Sequence, residues 1–455
     1  MERALPEEAA RFEAHPTRTF VALGLPVMAS LVAEPVTGLV DTAFVARLGT
    51  VPLTALGVGT IALSSVLWAF NFLGTGTQTE VAIALGEDRA DQASEIGFVA
   101  IVLGALIGLA FAGIGGVGLP WIVAVLGASG DVAVTAELYL GIRLIGAPAI
   151  LVMMASAGAL RGLHAMRTVL AIAVGSNALN LLLDLVLIFG WGPIPALGVA
   201  GAAWASVASQ WAGAAVSIAL LARRVGWPAY IDLRRAGELL VVGRDLFLRT
   251  ALLVAFLLVA TREATRLGDE AGAAHQVIRQ VWMTTALFLD AFAAVAQSLV
   301  GTSRGAGRND LALHAARFAV GASLVFGVAL ALAMLATTDL VRAGWVPDAA
   351  VAAFAGAWWV AAIAQPLNAL SFATDGVHWG TRDYRYLRNG MALAFVAGVA
   401  VWGAAVARGD AELSDIWWAT TAWMTVRAAI GIARLHPGWR SAPLATASAS
   451  TRASR

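Results

Sequence analysis

The chain predicts an all-α integral membrane protein: twelve transmembrane helices in two six-helix lobes related by a pseudo-two-fold axis along the membrane normal. Three observations predict it, namely an apolar and charge-poor composition, apolar stretches of spanning length that recur along the chain, and an internal repeat with almost no gaps. Of 455 residues, 59% are hydrophobic and 13% charged, with mean hydropathy +0.78. A soluble domain runs near half apolar and a quarter charged, so a soluble protein is excluded. About twelve spans of roughly 25 residues with short loops fill the same length.

Taken in order, residues 1–19 carry Glu2, Arg3, Glu7, Glu8, Arg11 and Glu13 and form a cytoplasmic N-terminal segment without the short basic start of a cleaved signal peptide. Apolar stretches follow at 20–45, 53–76, 96–126, 133–157, 167–190 and 197–222, which make the N-lobe (20–222). A cytoplasmic inter-lobe linker at 223–242 leads to stretches at 243–267, 273–301, 313–338, 348–374, 388–407 and 412–434, the C-lobe (243–434). Alanine and serine dominate the end, so 435–455 reads as a disordered cytoplasmic tail. Arginine sets the orientation, because cytoplasmic loops hold the excess of positive residues. Arg89, Arg161, Arg167, Arg223, Arg224, Arg234, Arg235, Arg304, Arg308, Arg382 and Arg385 all fall on the side of the two termini, whereas the opposite loops hold only Arg47, Arg262, Arg266, Arg342 and Arg408. Both termini are therefore expected in the cytoplasm, with the chain multi-pass in the plasma membrane.

The repeat carries the two-lobe assignment. A shift of 219 pairs Ala46-Arg47-Leu48-Gly49 with Thr265-Arg266-Leu267-Gly268, Asn71 with Asp290, Gln78 with Gln297, and Gly86, Arg89 and Asp91 with Gly305, Arg308 and Asp310. A shift of 218 pairs Pro148, Gly158, Gly162 and Arg167 with Pro366, Gly376, Gly380 and Arg385. Six spans per repeat is an even number, so both halves share one orientation, and a cavity between two such bundles suits a transporter.

Absent residues narrow the chemistry. With no cysteine there is no disulfide framework, thiolate metal site or cysteine nucleophile. With no lysine there is no phosphate-loop lysine and no Schiff base, so neither ATP hydrolysis within this chain nor retinal or pyridoxal chemistry is expected. The six histidines lie scattered without metal-ligand spacing. No enzyme activity, cofactor, nucleic acid or obligate protein partner is implied.

Ionisable residues inside spans cost several kcal/mol, and each is by default a functional site. Asp41 and Asp184 lie at similar depth near the external ends of the first and fifth spans. Asn180 precedes Asp184 by four and shares its helical face; Glu34 lies two turns deeper on the Asp41 stripe, beside Pro35, which withdraws a backbone donor. Two carboxylates close together in low dielectric cannot both stay ionised unless a proton or cation sits between them, which is the coupling an antiporter needs. In the C-lobe, Asp290 in the eighth span is the acid most suited to the cavity, with its repeat mate Asn71 and the pair Gln78 and Gln297 as further polar contacts. Arg279 must find an acid, Glu263 or Asp290, or reach the interface. Glu263 itself reads as the partner of Arg262 and Arg266, and Asp375 as a cap or turn at a cytoplasmic helix end. Trp68 and Trp282, in repeat-related spans, offer aromatic faces to amphipathic cations or pack in a core.

These residues resemble the multidrug and toxin extrusion (MATE) family, and within it the DinF-like branch. The resemblance rests on Glu34-Pro35 through Asp41-Thr42-Ala43-Phe44-Val45-Ala46-Arg47-Leu48-Gly49, on Ala274-His275-Gln276-Val277 through Leu289-Asp290-Ala291-Phe292, and on Gln297-Ser298-Leu299-Val300-Gly301. Gly158-Ala159-Leu160-Arg161-Gly162-Leu163 and Gly198-Val199-Ala200-Gly201 add to it. It implies a secondary antiporter that exports cationic or amphipathic organic compounds in exchange for protons or sodium. It also implies cation coupling at Asp41, Asn180 and Asp184, with Ser206 where relatives carry a hydroxyl and no metal other than sodium at those three positions. Thr37 and Met154 stand where some relatives have tyrosine and asparagine. A flippase for lipid-linked sugars, built on related architecture, is the alternative; it would want an arginine-rich cavity, for which Arg143, Arg249 and Arg279 are the deep candidates.

Overall fold

Hydrocarbon offers no partner to a backbone N–H or C=O, so apolar stretches of this length close their hydrogen bonds internally as helices. The computed structural model describes residues 5–230, 232–436 and 442–444, without the side chains of Glu34, Ser65, Val66, Trp68 and Leu233. The roles expected of Glu34 and Trp68, and nearly all of the expected disordered tail, lie outside the described residues.

The N-terminal half runs through α1 (Glu7–Ala14), α2 (Pro16–Ala46), α3 (Thr50–Leu67), a 3-10 turn at Trp68–Asn71, α4 (Phe72–Gly86), α5 (Ala90–Val117), α6 (Leu119–Val125), α7 (Gly130–Ile145), α8 (Ala147–Gly162), α9 (Met166–Phe189) and α10 (Val199–Val225). The C-terminal half follows with α11 (Leu233–Arg266), α12 (Asp269–Gly305), α13 (Asn309–Ala336), α14 (Thr338–Trp345), a 3-10 turn at Asp348–Ala350, α15 (Val351–Ile363), α16 (Gln365–Gly380), α17 (Tyr384–Arg408) and α18 (Leu413–Leu435). Among the described residues, seven helices are long and apolar enough to cross a membrane alone, and three bent pairs, α3 with α4, α7 with α8 and α15 with α16, bring the number to ten. The remaining long helices, α11 and α18, complete the predicted twelve. Both are more polar: charged residues crowd the first half of α11, and α18 is rich in threonine and tryptophan.

The duplication is visible in the backbone. The bent pairs α7–α8 and α15–α16 turn by 45° and 44° at Pro148 and Pro366, repeat mates whose missing N–H opens the helix at the same point. A Cβ on Gly158 would overlap the Gly74 carbonyl oxygen, and one on its mate Gly376 would overlap the Ala293 carbonyl oxygen. The next crossing repeats as well: a Cβ on Gly162 or Gly380 would stand 2.7 Å from the carbonyl oxygen of Gln78 or Gln297. Gly49 and Gly268, both mates, take φ of +117° and +121° between consecutive helices, which a side chain rarely adopts.

The chain divides into two compact units, Leu25–Gly243 and Met1–Gly24 with Arg244–Arg455. The expected linker at 223–242 is helical at both ends, since α10 runs to Val225 and helix α11 already starts at Leu233. Its early residues pack on the first unit: Leu239 is buried in that core, and Leu239 and Val242 lie against Gly76. In the second unit the amphipathic α1 buries Phe12, edge-on to His314 and Phe318 with ring centroids 5.5 and 5.7 Å away. Glu13 reaches Arg308 at 2.7 Å, and the hydrogen bonds that Arg308 donates to Asp310 and Glu13 hold that guanidinium above its ordinary pKa.

Candidate cation-coupling site

Within the first unit, α2, α7, α9 and α10 bring their polar side chains to one place. Asp41 and Asp184 each lie about a turn and a half before a helix end, at Ala46 and Phe189, so two separate spans deliver carboxylates to equal depth. The two carboxylates are within hydrogen-bond reach of each other. Asp184 is fully buried, and neither of its oxygens meets a protein donor among the described residues. Asn180, one turn earlier on α9, bridges the helices. With its amide oriented by its neighbours, the nitrogen donates to Asp41 Oδ1 at 3.2 Å and the oxygen accepts from the Ser206 backbone N–H at 3.2 Å. Ser206 thus enters through its main chain. The Arg143 guanidinium on α7 acts electrostatically on both carboxylates, and its Nε and Nη1 are buried without a hydrogen-bond partner.

A carboxylate pair with no protein donor on one member can take up a proton or a small cation. Asp41, Asn180, Asp184 and Ser206 are the predicted residues that the fold brings together; Arg143 joins them. Sequence reading weighed Arg143 only as a deep flippase arginine, although its position one turn before the Pro148 break marked it as a mid-membrane charge. Asn71 and Gln78 lie elsewhere in this unit, Asn71 exposed at the start of α4 and Gln78 buried where α4 crosses α8.

In the second unit Arg279, Trp282, Asp290 and Gln297 are strung along α12. Asp290 is half-buried, and Gln297 is buried at the α12–α16 crossing that mirrors Gln78. Trp282 is buried within the apolar core of this unit. Of the two alternatives for Arg279, an acid or the interface, no acid partners it among the described residues: it donates to Gln276 Oε1, a neighbouring amide on its own helix, at 3.1 and 3.3 Å. Glu263 pairs with Arg262 and Arg266 as expected, at 3.8 and 3.3 Å. Asp375 departs from its expected role as a cap. It is buried, and its Oδ2 accepts from both Arg249 and Arg427, the latter at 2.7 Å. The physical reason is that both guanidiniums lie in apolar surroundings, over Trp379 and Trp423 respectively, and need a counter-charge there.

The MatE family model matches residues 26–186 and again 246–401, one copy in each half. The chain belongs to the MATE family. It is 32% identical over 440 residues to Protein DETOXIFICATION 44, chloroplastic, of Arabidopsis thaliana, covering 93% of this chain and 82% of the relative. DNA damage-inducible protein F of Escherichia coli (strain K12) is 27% identical over 390 residues, 82% of each chain, in keeping with the DinF-like branch. Among solved structures, the outward-facing conformation of a multidrug resistance MATE family transporter superposes with a TM-score of 0.83 at 18% identity, covering 95% of this chain and 99% of that one. This MATE protein is thus a multi-pass membrane transporter of a family devoted to efflux of drugs and toxic compounds, not an enzyme, and the family needs no cofactor. Its twelve-helix, two-lobe architecture is the family fold.

Proposed function

We propose that this MATE protein is a secondary active antiporter that exports cationic or amphipathic organic compounds by alternating access, in exchange for protons or sodium, from the plasma membrane with both termini cytoplasmic. The observation that carries the reading is the pair of half-buried Asp41 and fully buried Asp184, within hydrogen-bond reach and with Asn180 on Asp41, which demands a proton or cation. Loading neutralises the pair and unloading leaves a buried charge, so the two states favour different arrangements of α2, α9 and α10. On this reading Asp290, Asn71, Gln78, Gln297, Arg279 and Trp282 supply the polar and aromatic contacts to substrate, Trp282 and the two glutamines after a rearrangement that uncovers them. The flippase reading draws no support from Arg249, which is engaged by Asp375.

The test is efflux of a fluorescent cationic dye from proteoliposomes under an imposed proton or sodium gradient, comparing the native chain with Asp41→Asn. Gradient-driven efflux, reduced at least tenfold in the variant, is expected. Efflux that survives Asp41→Asn would move coupling away from the N-lobe, with Asp290 next in line.

A further inference from the structure

We propose that Arg143 is a tethered counter-cation of the Asp41–Asp184 pair, and that it makes the site take a single proton and refuse sodium. The inference rests on the coupling role proposed above. Two carboxylates and one guanidinium leave one negative charge, so one monovalent cation neutralises the site and a second has nothing to bind. Sodium must surrender hydration to several oxygen ligands. Here the Asn180 amide turns its nitrogen toward Asp41, and its oxygen is already used by the Ser206 N–H, so the bridge offers a donor where a metal ion needs an acceptor. A proton asks only for the two carboxylates.

The guanidinium is placed for the other half of the cycle. It forms no ion pair with either acid in this structure, and its Nε and Nη1 are buried without a protein partner, which leaves them free to be drawn to an acid. When the proton leaves, a rotamer change brings those donors onto the naked carboxylates, and one of the two negative charges of the unloaded state is offset from within the protein. Among the described residues of the helices packed on α7, no other ionisable group lies at this depth. Of the helices packed on α7, α3 and α6 have none, and Asp91 and Glu95 on α5, Arg161 on α8, and Arg223 and Arg224 on α10 lie at helix ends. On α7 itself Asp131, Glu137 and Tyr139 precede Arg143.

The experiment uses the full chain in detergent and in proteoliposomes. Thermal unfolding of the native chain in sodium chloride and in choline chloride should give the same midpoint, with efflux driven by a proton gradient and not by a sodium gradient. In Arg143→Gln, proton-driven efflux should fall at least tenfold while sodium, against choline, raises the unfolding midpoint by several degrees. Arg143→Lys, which keeps the charge, should retain proton-driven efflux. A sodium-specific rise in the native chain's midpoint overturns the proposal without recourse to any variant, as does Arg143→Gln that transports like the native chain. If Asp41→Asn transports normally, the coupling reading has failed; if Asp41→Asn is inactive and Arg143→Gln is native-like, only the role of Arg143 has failed.

Discussion

Two buried guanidiniums facing one carboxylate are a charge inventory with a surplus, and the surplus decides which substitution the C-terminal unit tolerates. Arg249 and Arg427 converge on Asp375 Oδ2, with Arg427 Nε and Nη1 unsatisfied. Removing Arg427 leaves a balanced pair, and a leucine there keeps the apolar contact with Trp423 and Phe372. Removing the carboxylate strands two cations in a low-dielectric core, at a cost of about 3–5 kcal/mol. Thermal melts should therefore show Asp375→Asn far more destabilised than Arg427→Leu; equal losses, or the reverse order, would refute this charge count. At the N-lobe site, Asp41, Asn180 and Asp184 were legible because charged and amide side chains stand out against apolar helices at matching depth, whereas Ser206 came only from the resemblance to the family. It read Arg143 as a flippase candidate and Asp375 as a cap, because pairing between helices distant in sequence leaves no periodic signal along either one. The orientation of Arg279 was equally hidden: an arginine announces that it needs a partner, not whether that partner is a remote acid or the glutamine one turn away.

Helix crossings follow a different rule, set by the absence of side chains. Gly158 and Gly376 let α8 meet α4 and α16 meet α12 at backbone contact, in the same place in each half. Alanine at either position forces the helices apart and should cost about 1–3 kcal/mol. Because the crossings are mates, detergent melts of Gly158→Ala and Gly376→Ala should show comparable losses, and an unaffected variant in either half would break the equivalence. These crossings were legible as a constant offset between glycines long before any contact was visible. The bends at Pro148 and Pro366 were less so, since a proline within an apolar run marks either a kink or an end. The helical start of α11 escaped because Asp232, Arg234, Arg235 and Glu238 read as linker, whereas all but Asp232 lie on a helix whose Leu239 and Val242 face a core.

For the molecule as a whole, orientation follows from arginine placement, and the natural chain is suited to testing it because it contains no cysteine. A single cysteine at Trp191, which is 72% exposed between α9 and α10, should react with an impermeant maleimide in intact cells. A single cysteine at the exposed Ala90, on the side assigned to the termini, should react only after permeabilisation. Labelling in the opposite order would invert the topology and reassign the face to which the Asp41 site opens. The unit boundaries fall at Gly24 and Gly243, within α2 and α11, and not at the loop between α10 and α11. Each half's leading helix therefore begins in one body and ends in the other. A chimera assembled from two relatives at the obvious loop junction would carry a foreign α11 leader against a native core, so the natural seams for recombining lobes run through the middle of helices.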